Sequence, residues 1–191
     1  MIAVAASGVR PAVPVPVIDP IDPKQFLEPI DFLLADHYRQ RTLCQLLDRL
    51  TQEPSGAEAR ALAEPVRIYL RRDMVWHIAD EEIQLFPRMR ERAVPGDGTA
   101  DMLYLLEREH TGDQSLAHTL LEALDCLALG LAPVEPAVFA VRVATFTETQ
   151  RRHLAWENAM VIPLARRLLT QADKVDLGRK MALRRALAYP G

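Results

Sequence analysis

The sequence predicts an all-α protein: an up-down-up-down antiparallel four-helix bundle with an extra C-terminal helix and an extended, proline-rich N-terminal arm. Three observations carry this. Apolar residues recur at helical spacing over four long segments. Proline- and glycine-rich breaks separate the segments, and such short connections imply antiparallel neighbours. No stretch shows the alternation of a half-buried strand. At 191 residues, 49% hydrophobic and 26% charged, the chain suits one domain with a sizeable core.

Residues 1–23 form the predicted arm. Five prolines fall between positions 9 and 23 without a helical period, which favours an extended, polyproline-like path with some packing of its Val residues. Residues 24–191 form the bundle. Its first helix is expected from about Lys24 to Thr51, with Phe26, Ile30, Leu33, His37, Cys44 and Leu47 near one stripe, and Pro54, Ser55 and Gly56 ending it. The second, about Glu58 to Arg92, carries Leu62, Val66, Leu70, His77, Glu81 and Leu85 inward. Pro65 and Pro87 should bend or interrupt it.

The stretch Val94-Pro95-Gly96-Asp97-Gly98 is a clear break. The third helix starts near Thr99, an N-cap candidate, and ends around Gly130, with Leu103, Leu106, His110, Ala117, Leu121 and Leu124 on its stripe. The fourth is expected from about Glu135 to Thr170, with Phe139, Phe146, His153, Glu157, Met160 and Leu164 inward. A fifth, about Ala172 to Ala188, has a looser face of Leu177, Met181, Leu183 and Leu187, interrupted by basic residues and Gly178.

A net charge of −3 gives no pull toward nucleic acid or an anionic membrane, and acids are interspersed among most of the arginine pairs, which read as solvated helix faces. No window is apolar enough to span a bilayer, and the first ten residues lack the basic start and apolar core of a secretory signal, so a cytoplasmic protein is expected. Cys44 and Cys126 read as reduced core thiols, with Cys44 on the face of His37, seven residues earlier.

A short phrase occurs twice: His77-Ile78-Ala79-Asp80-Glu81 and His153-Leu154-Ala155-Trp156-Glu157, each with a proline six residues after its glutamate. Each copy is preceded by an acid–histidine pair, Asp36-His37 and Glu109-His110. Histidine and glutamate four apart share one helical face, about 6 Å apart along the axis, so both can reach one metal centre. On four bundled helices, His37, His77, His110 and His153 all point inward with Glu81 and Glu157. Burying these groups without a counter-ion costs several kcal/mol per charge, roughly, and a pair of cations removes that cost.

Imidazole and carboxylate without thiolate suit iron, manganese or zinc, and a site of this size suits two ions. If each glutamate bridges and an oxo or hydroxo group is added, each ion has five ligands and one open position, which implies small-molecule chemistry. A ferritin-like site would need ExxH from two helices; only Glu107-x-x-His110 fits, since Met74 and Gln150 precede the other two histidines. His118, eight residues after His110, lies about 80° off its stripe and reads as a boundary histidine. Asp36 and Glu109 point away from the ligand face and are expected to pair with neighbouring helices. Asp80 and Glu82 are expected to be exposed, and Trp76 and Trp156 to be packing residues.

The segments HIADEEIQLFP, HLAWENAMVIP and DLGRKMALRR resemble the hemerythrin-like, or HHE cation-binding, family over about residues 24–185. The resemblance implies a four-helix bundle around a non-haem di-iron centre, with His37, His77, His110 and His153 as terminal ligands and Glu81 and Glu157 as bridging carboxylates. Oxygen-carrying members have a fifth histidine four residues after the one on the third helix, where this chain has Gln114; they also have a more widely spaced aspartate where it has Glu157. The pattern is closer to the bacterial iron–sulfur-repair di-iron proteins and the eukaryotic iron-sensing hemerythrin domains. The repair proteins' cysteine-bearing N-terminal domain and an F-box or ligase module are not seen in these residues. The expected function is a centre that reacts with or senses dioxygen, nitric oxide or peroxide, with iron sensing without turnover or reversible oxygen carriage as alternatives. An electron donor, a protein partner or a homodimer is compatible with either.

Overall fold

Prolines decide where the helical rods of this protein begin and where they change pitch. The structure, a computed structural model, describes residues 16–191. Most of the proline-rich arm, residues 1–15, lies outside the described residues. Residues 16–22 form no regular element but lie against the body, where Ile18 and Ile21 pack on the core and the Asp19 carbonyl accepts a 2.9 Å bond from Arg39 Nε.

The first predicted helix is divided. A 3₁₀ turn, Pro23–Leu27, precedes α1, Pro29–Gln52. The break falls at Glu28 (φ −123°, ψ 74°), because the residue before a proline is driven out of the helical region. Pro29 then sits in the first turn, where its missing N–H costs nothing.

The second rod comprises α2 (Gly56–Ile68), α3 (Met74–Asp80) and α4 (Phe86–Arg92), joined by π-helical turns at Tyr69–Asp73 and Glu81–Leu85. The two prolines, expected to bend or interrupt it, both sit within helical segments. Pro65 stays within α2, and the carbonyl it orphans belongs to the exposed Ala61, where water can satisfy it. Pro87 follows a wide turn in which the Phe86 N–H reaches Glu81 O, five residues back, and that widening makes room for the proline ring.

Asp97 organises the next break, accepting from the N–H groups of Val94 at 3.2 Å and Thr99 at 2.9 Å. Thr99 is the first residue of α5, Thr99–Ala128, and not its cap; left-handed Gly98 (φ 82°) holds that position. The helix closes on a Schellman motif, Gly130 N to Leu127 O at 2.8 Å and Leu131 N to Cys126 O at 2.9 Å.

The fourth predicted helix is also divided, into α6 (Pro136–Ala159) and α7 (Val161–Leu168), with a break at Met160 (φ −116°). Pro163 cannot donate to Ala159, so the ladder is interrupted there. Met160 is turned outward at 48% exposure, and Leu164 is only half-buried. The last helix, α8 (Gln171–Arg184), starts on a reciprocal Thr170–Asp173 capping box. Leu177 and Met181 are buried as expected, but Leu183 is 77% exposed and Leu187 37%.

Helix α1 packs against α2 and α6, and α5 against the same two, which closes the up-down-up-down ring; α8 lies across the 3₁₀ turn, α1 and α3. No strand occurs among the described residues. The rods carry two separate apolar clusters. One joins Leu47, Leu62, Val66, Leu124 and Phe146; the other joins Phe32, Phe86, Leu106, Ile162 and Met181. Each rod crosses from one cluster to the other, and where it crosses it carries a histidine. Roughly 1.5–3 kcal/mol for each large buried side chain offsets the cost of this polar layer.

Candidate metal centre

The polar layer holds all six residues that the sequence singled out. His37 (α1), His77 (α3), His110 (α5) and His153 (α6), with Glu81 at the first position of a π turn and Glu157 on α6, are each at most 2% exposed. Glu157 Oε2 lies 3.3 Å from His37 Nε2, and its Oε1 lies 3.7 Å from His110 Nε2 and 3.2 Å from His153 Nε2. Glu81 Oε1 lies 3.9 Å from His37 Nε2, and its Oε2 lies 3.5 Å from His77 Nε2 and 3.3 Å from His110 Nε2. Both carboxylates therefore sit between histidines of different helix pairs.

The outer nitrogens are already engaged. His77 Nδ1 pairs with Asp36 Oδ2 at 3.0 Å, His153 Nδ1 with Glu109 Oε2 at 2.9 Å, His110 Nδ1 with Glu82 Oε1 at 2.8 Å and His37 Nδ1 with Asn158 Oδ1 at 2.6 Å. The acid before each lone histidine thus reaches the histidine of the next rod, as an adjacent residue about 100° round the helix should. The residue after each glutamate does the same for a lone histidine. Sequence reasoning missed Asn158 and Glu82, although their positions, directly after the two glutamates of the repeated phrase, were a usable signal.

Asp80, expected to be exposed, is fully buried; it accepts a 2.9 Å bond from Arg184 Nε and forms an ion pair with Arg185 Nη1 at 2.7 Å. Glu82 is only partly exposed. Trp156 is 44% exposed and so not a core packing residue, whereas Trp76 is half-buried beneath the Arg72 guanidinium. Gln114 and His118 both face solvent. One turn beyond His110 the buried position is Asp113, whose two oxygens have no hydrogen-bond partner among the described residues. Gln40 and Gln150 form a buried 2.7 Å amide pair between α1 and α6. Cys44 is fully buried, and burial pushes its thiol up to about 12; it belongs to neither donor cluster.

The electrostatics follow from this crowding. Burial alone would depress the imidazoles, but the charges of Glu81 and Asp36 raise His77 to about 9, and that of Glu157 raises His153 to about 9. Burial lowers His110 too, yet its bonds to Glu157, Glu81 and Glu82 carry it upward. Burial raises the Glu157 carboxyl, and His153 and His110 more than reverse this, holding it well below the usual carboxylate range. Asp36 behaves likewise, through His77, Arg39 and Arg185.

The donor set fits a metal cation. Nε2 of His37, His77 and His110 and all four oxygens of Glu81 and Glu157 are buried without a hydrogen-bond partner, and their chemistry is that of hard to borderline ions. His37, His77, Glu81 and Glu157 form one cluster that could hold an ion, and His110, His153 and Glu157 another, with donor atoms in each within 4.8 Å of one another. Comparison with known proteins finds no match among curated proteins and none among solved structures. The family model described as the hemerythrin HHE cation-binding domain matches residues 28–165, which span the four rods and all six residues. The chain belongs to the hemerythrin HHE cation-binding domain family.

Proposed function

We propose that this chain is a non-haem di-iron protein of the cytoplasm whose metal positions react with or sense dioxygen, nitric oxide or peroxide. The observation that carries the reading is the arrangement of six buried imidazole and carboxylate groups, without a thiolate, whose free atoms converge while the outer nitrogens are held. In this reading His37 and His77 hold one ion, His110 and His153 the other, and Glu81 and Glu157 lie between them. Two irons so held supply one-electron redox chemistry and a position for a small diatomic ligand or peroxide.

The protein's own contribution is orientation and exclusion of water. Glu82, Glu109 and Asn158 pair with the Nδ1 atoms of His110, His153 and His37, and Asp36 forms an ion pair with His77 Nδ1, which orients each ring with its Nε2 facing inward. Apolar clusters on both sides of the layer keep it dry. Burial raises the Asp113 carboxyl, despite the opposing charges of His153 and His110.

A second reading, an iron-sensing module without turnover, is favoured by Asp80. It is adjacent to Glu81 and tied to α8, so a change at the glutamate can reach the surface helix. Reversible oxygen carriage ranks last, because no histidine follows His110 by one turn and Gln114 faces solvent.

Elemental analysis of the purified protein tests the centre: about two irons per chain are expected, and His77→Ala and Glu157→Ala should each reduce the content. Mixing the reduced protein with nitric oxide or peroxide should change its spectrum within seconds. Iron-free protein would overturn the metal reading, and an inert di-iron protein would leave only sensing.

A further inference from the structure

Beyond the centre, the outer face of the wall formed by α5 and α6 carries a groove of about 420 Å³ lined by Leu105, Leu106, Arg108, Glu109, Arg152 and Trp156. Its volume is that of a small-molecule site. Leu105 is 52% exposed and Trp156 44%, so large apolar surface faces water there without a covering element. Trp156 also borders a second hollow of about 410 Å³, where Met102, Met160, Leu164 and Arg167 line the wall. The two hollows thus share the indole and make one elongated track, apolar along Leu105, Trp156, Met102 and Met160 and bordered in the second hollow by Asp97 and Arg167.

The charges at the first hollow are unusual for this protein. Most of its arginines are paired, for example Arg39 with Asp36 and Asp73, Arg92 with Asp173 and Arg185 with Asp80. Arg108 and Arg152, by contrast, make no hydrogen bond or ion pair with the described residues, although the chain as a whole carries a net charge of −3. Glu109, the one acid in the groove, is engaged with His153 Nδ1 at 2.9 Å. Two free guanidiniums therefore stand at one end of an apolar track.

We propose that this track binds a single-chain carboxylate with the chemistry of a free fatty acid. The carboxylate is received by Arg108 and Arg152, whose planar forks match its two oxygens, and the chain lies over Leu105 and Trp156 toward Met102 and Met160. Glu109 is both a wall of this groove and the partner of His153, so the ligand lies against the layer that orients the centre. The site requires no metal, so its test is independent of the iron reading.

The test uses the full chain carrying Trp76→Phe, which leaves Trp156 as the sole indole. Dodecanoate is titrated below its micelle concentration while tryptophan emission is followed, on both metal-loaded and chelated protein. A saturable change in emission is expected in both forms. Arg108→Ala/Arg152→Ala should weaken it by about tenfold or more, the scale of a lost charge-assisted bidentate contact. Far-UV circular dichroism of that variant should be unchanged, since both side chains are exposed. Acetate and dodecyltrimethylammonium should give no saturable response. An equal response to the cationic amphiphile, or indifference to the arginine changes, would overturn the proposal. So would binding to anionic vesicles without binding of free dodecanoate, which would instead make the face a membrane-contact surface.

Discussion

Asn158 Oδ1 lies 2.6 Å from His37 Nδ1 and is the one uncharged partner among the four that hold the histidines of the centre. An amide oxygen accepts from Nδ1–H but adds no negative charge, so His37 is oriented by a neutral partner where the other three histidines face carboxylates.

Removing that acceptor should loosen His37 without unfolding the bundle. Asn158→Ala is expected to weaken metal affinity by roughly 10–100-fold, and Asn158→Asp to restore most of it. Competition against a chelator, with helicity followed in parallel, measures both. Unchanged affinity in the alanine variant would show that the contact does not orient the ligand.

The raised histidines give the chelated protein a defined pH dependence. His77 and His153 titrate near 9 when folded, against an ordinary value of 6.5. A raised folded value means that their contribution is fully present below about 6.5 and is lost as pH rises through about 9. Thermal scans of metal-free protein from pH 6 to 10 should therefore show a falling Tm. Metal affinity should rise over the same window, because binding displaces those protons. A flat Tm profile would contradict the assignment.

Asp80 is fully buried and takes its counter-charges from the end of α8: Arg184 at 2.9 Å and, just past the helix, Arg185 at 2.7 Å and itself 7% exposed. Arg185→Ala should cost about 1–3 kcal/mol, since Asp80 keeps Arg184 as a partner, and lower Tm by roughly 2–12 °C. Asp80→Asn/Arg185→Ala should recover part of that loss. Differential scanning calorimetry separates the two.

Gly178 has no room for a side chain, since a Cβ there would meet Phe26 O at 2.0 Å. Gly178→Ala raises helix propensity in α8 yet should destabilise the protein by about 1–3 kcal/mol, because the backbone of Phe26 must move away. Chemical denaturation would reveal the sign; a stabilised variant would mean that α8 shifts freely over the 3₁₀ turn.

Much of this protein was legible in one dimension. Helical period, proline and glycine breaks and the twice-repeated phrase depend on spacing along the chain, and each maps directly onto a rod or a facing pair. The errors share a cause, because they fall where a local rule met a tertiary alternative. Pro87 is absorbed by a π turn, Gly178 marks a close approach rather than a weak helix, and Met160 is rotated outward by the break before Pro163.

The sequence by itself determined the four helical rods and which six imidazole and carboxylate groups they carry toward one another, because period and spacing fix which side chains share a face. Only the tertiary structure decided what lies behind those donors. Asn158 and Glu82 face the histidines of other rods, Asp80 is sealed under Arg184 of α8 and Arg185 just beyond it, and Arg108 and Arg152 stand unpaired beside Trp156. Each of these is set by how two rods are rotated and placed against each other. Packing fixes that relation, and no single-helix pattern records it.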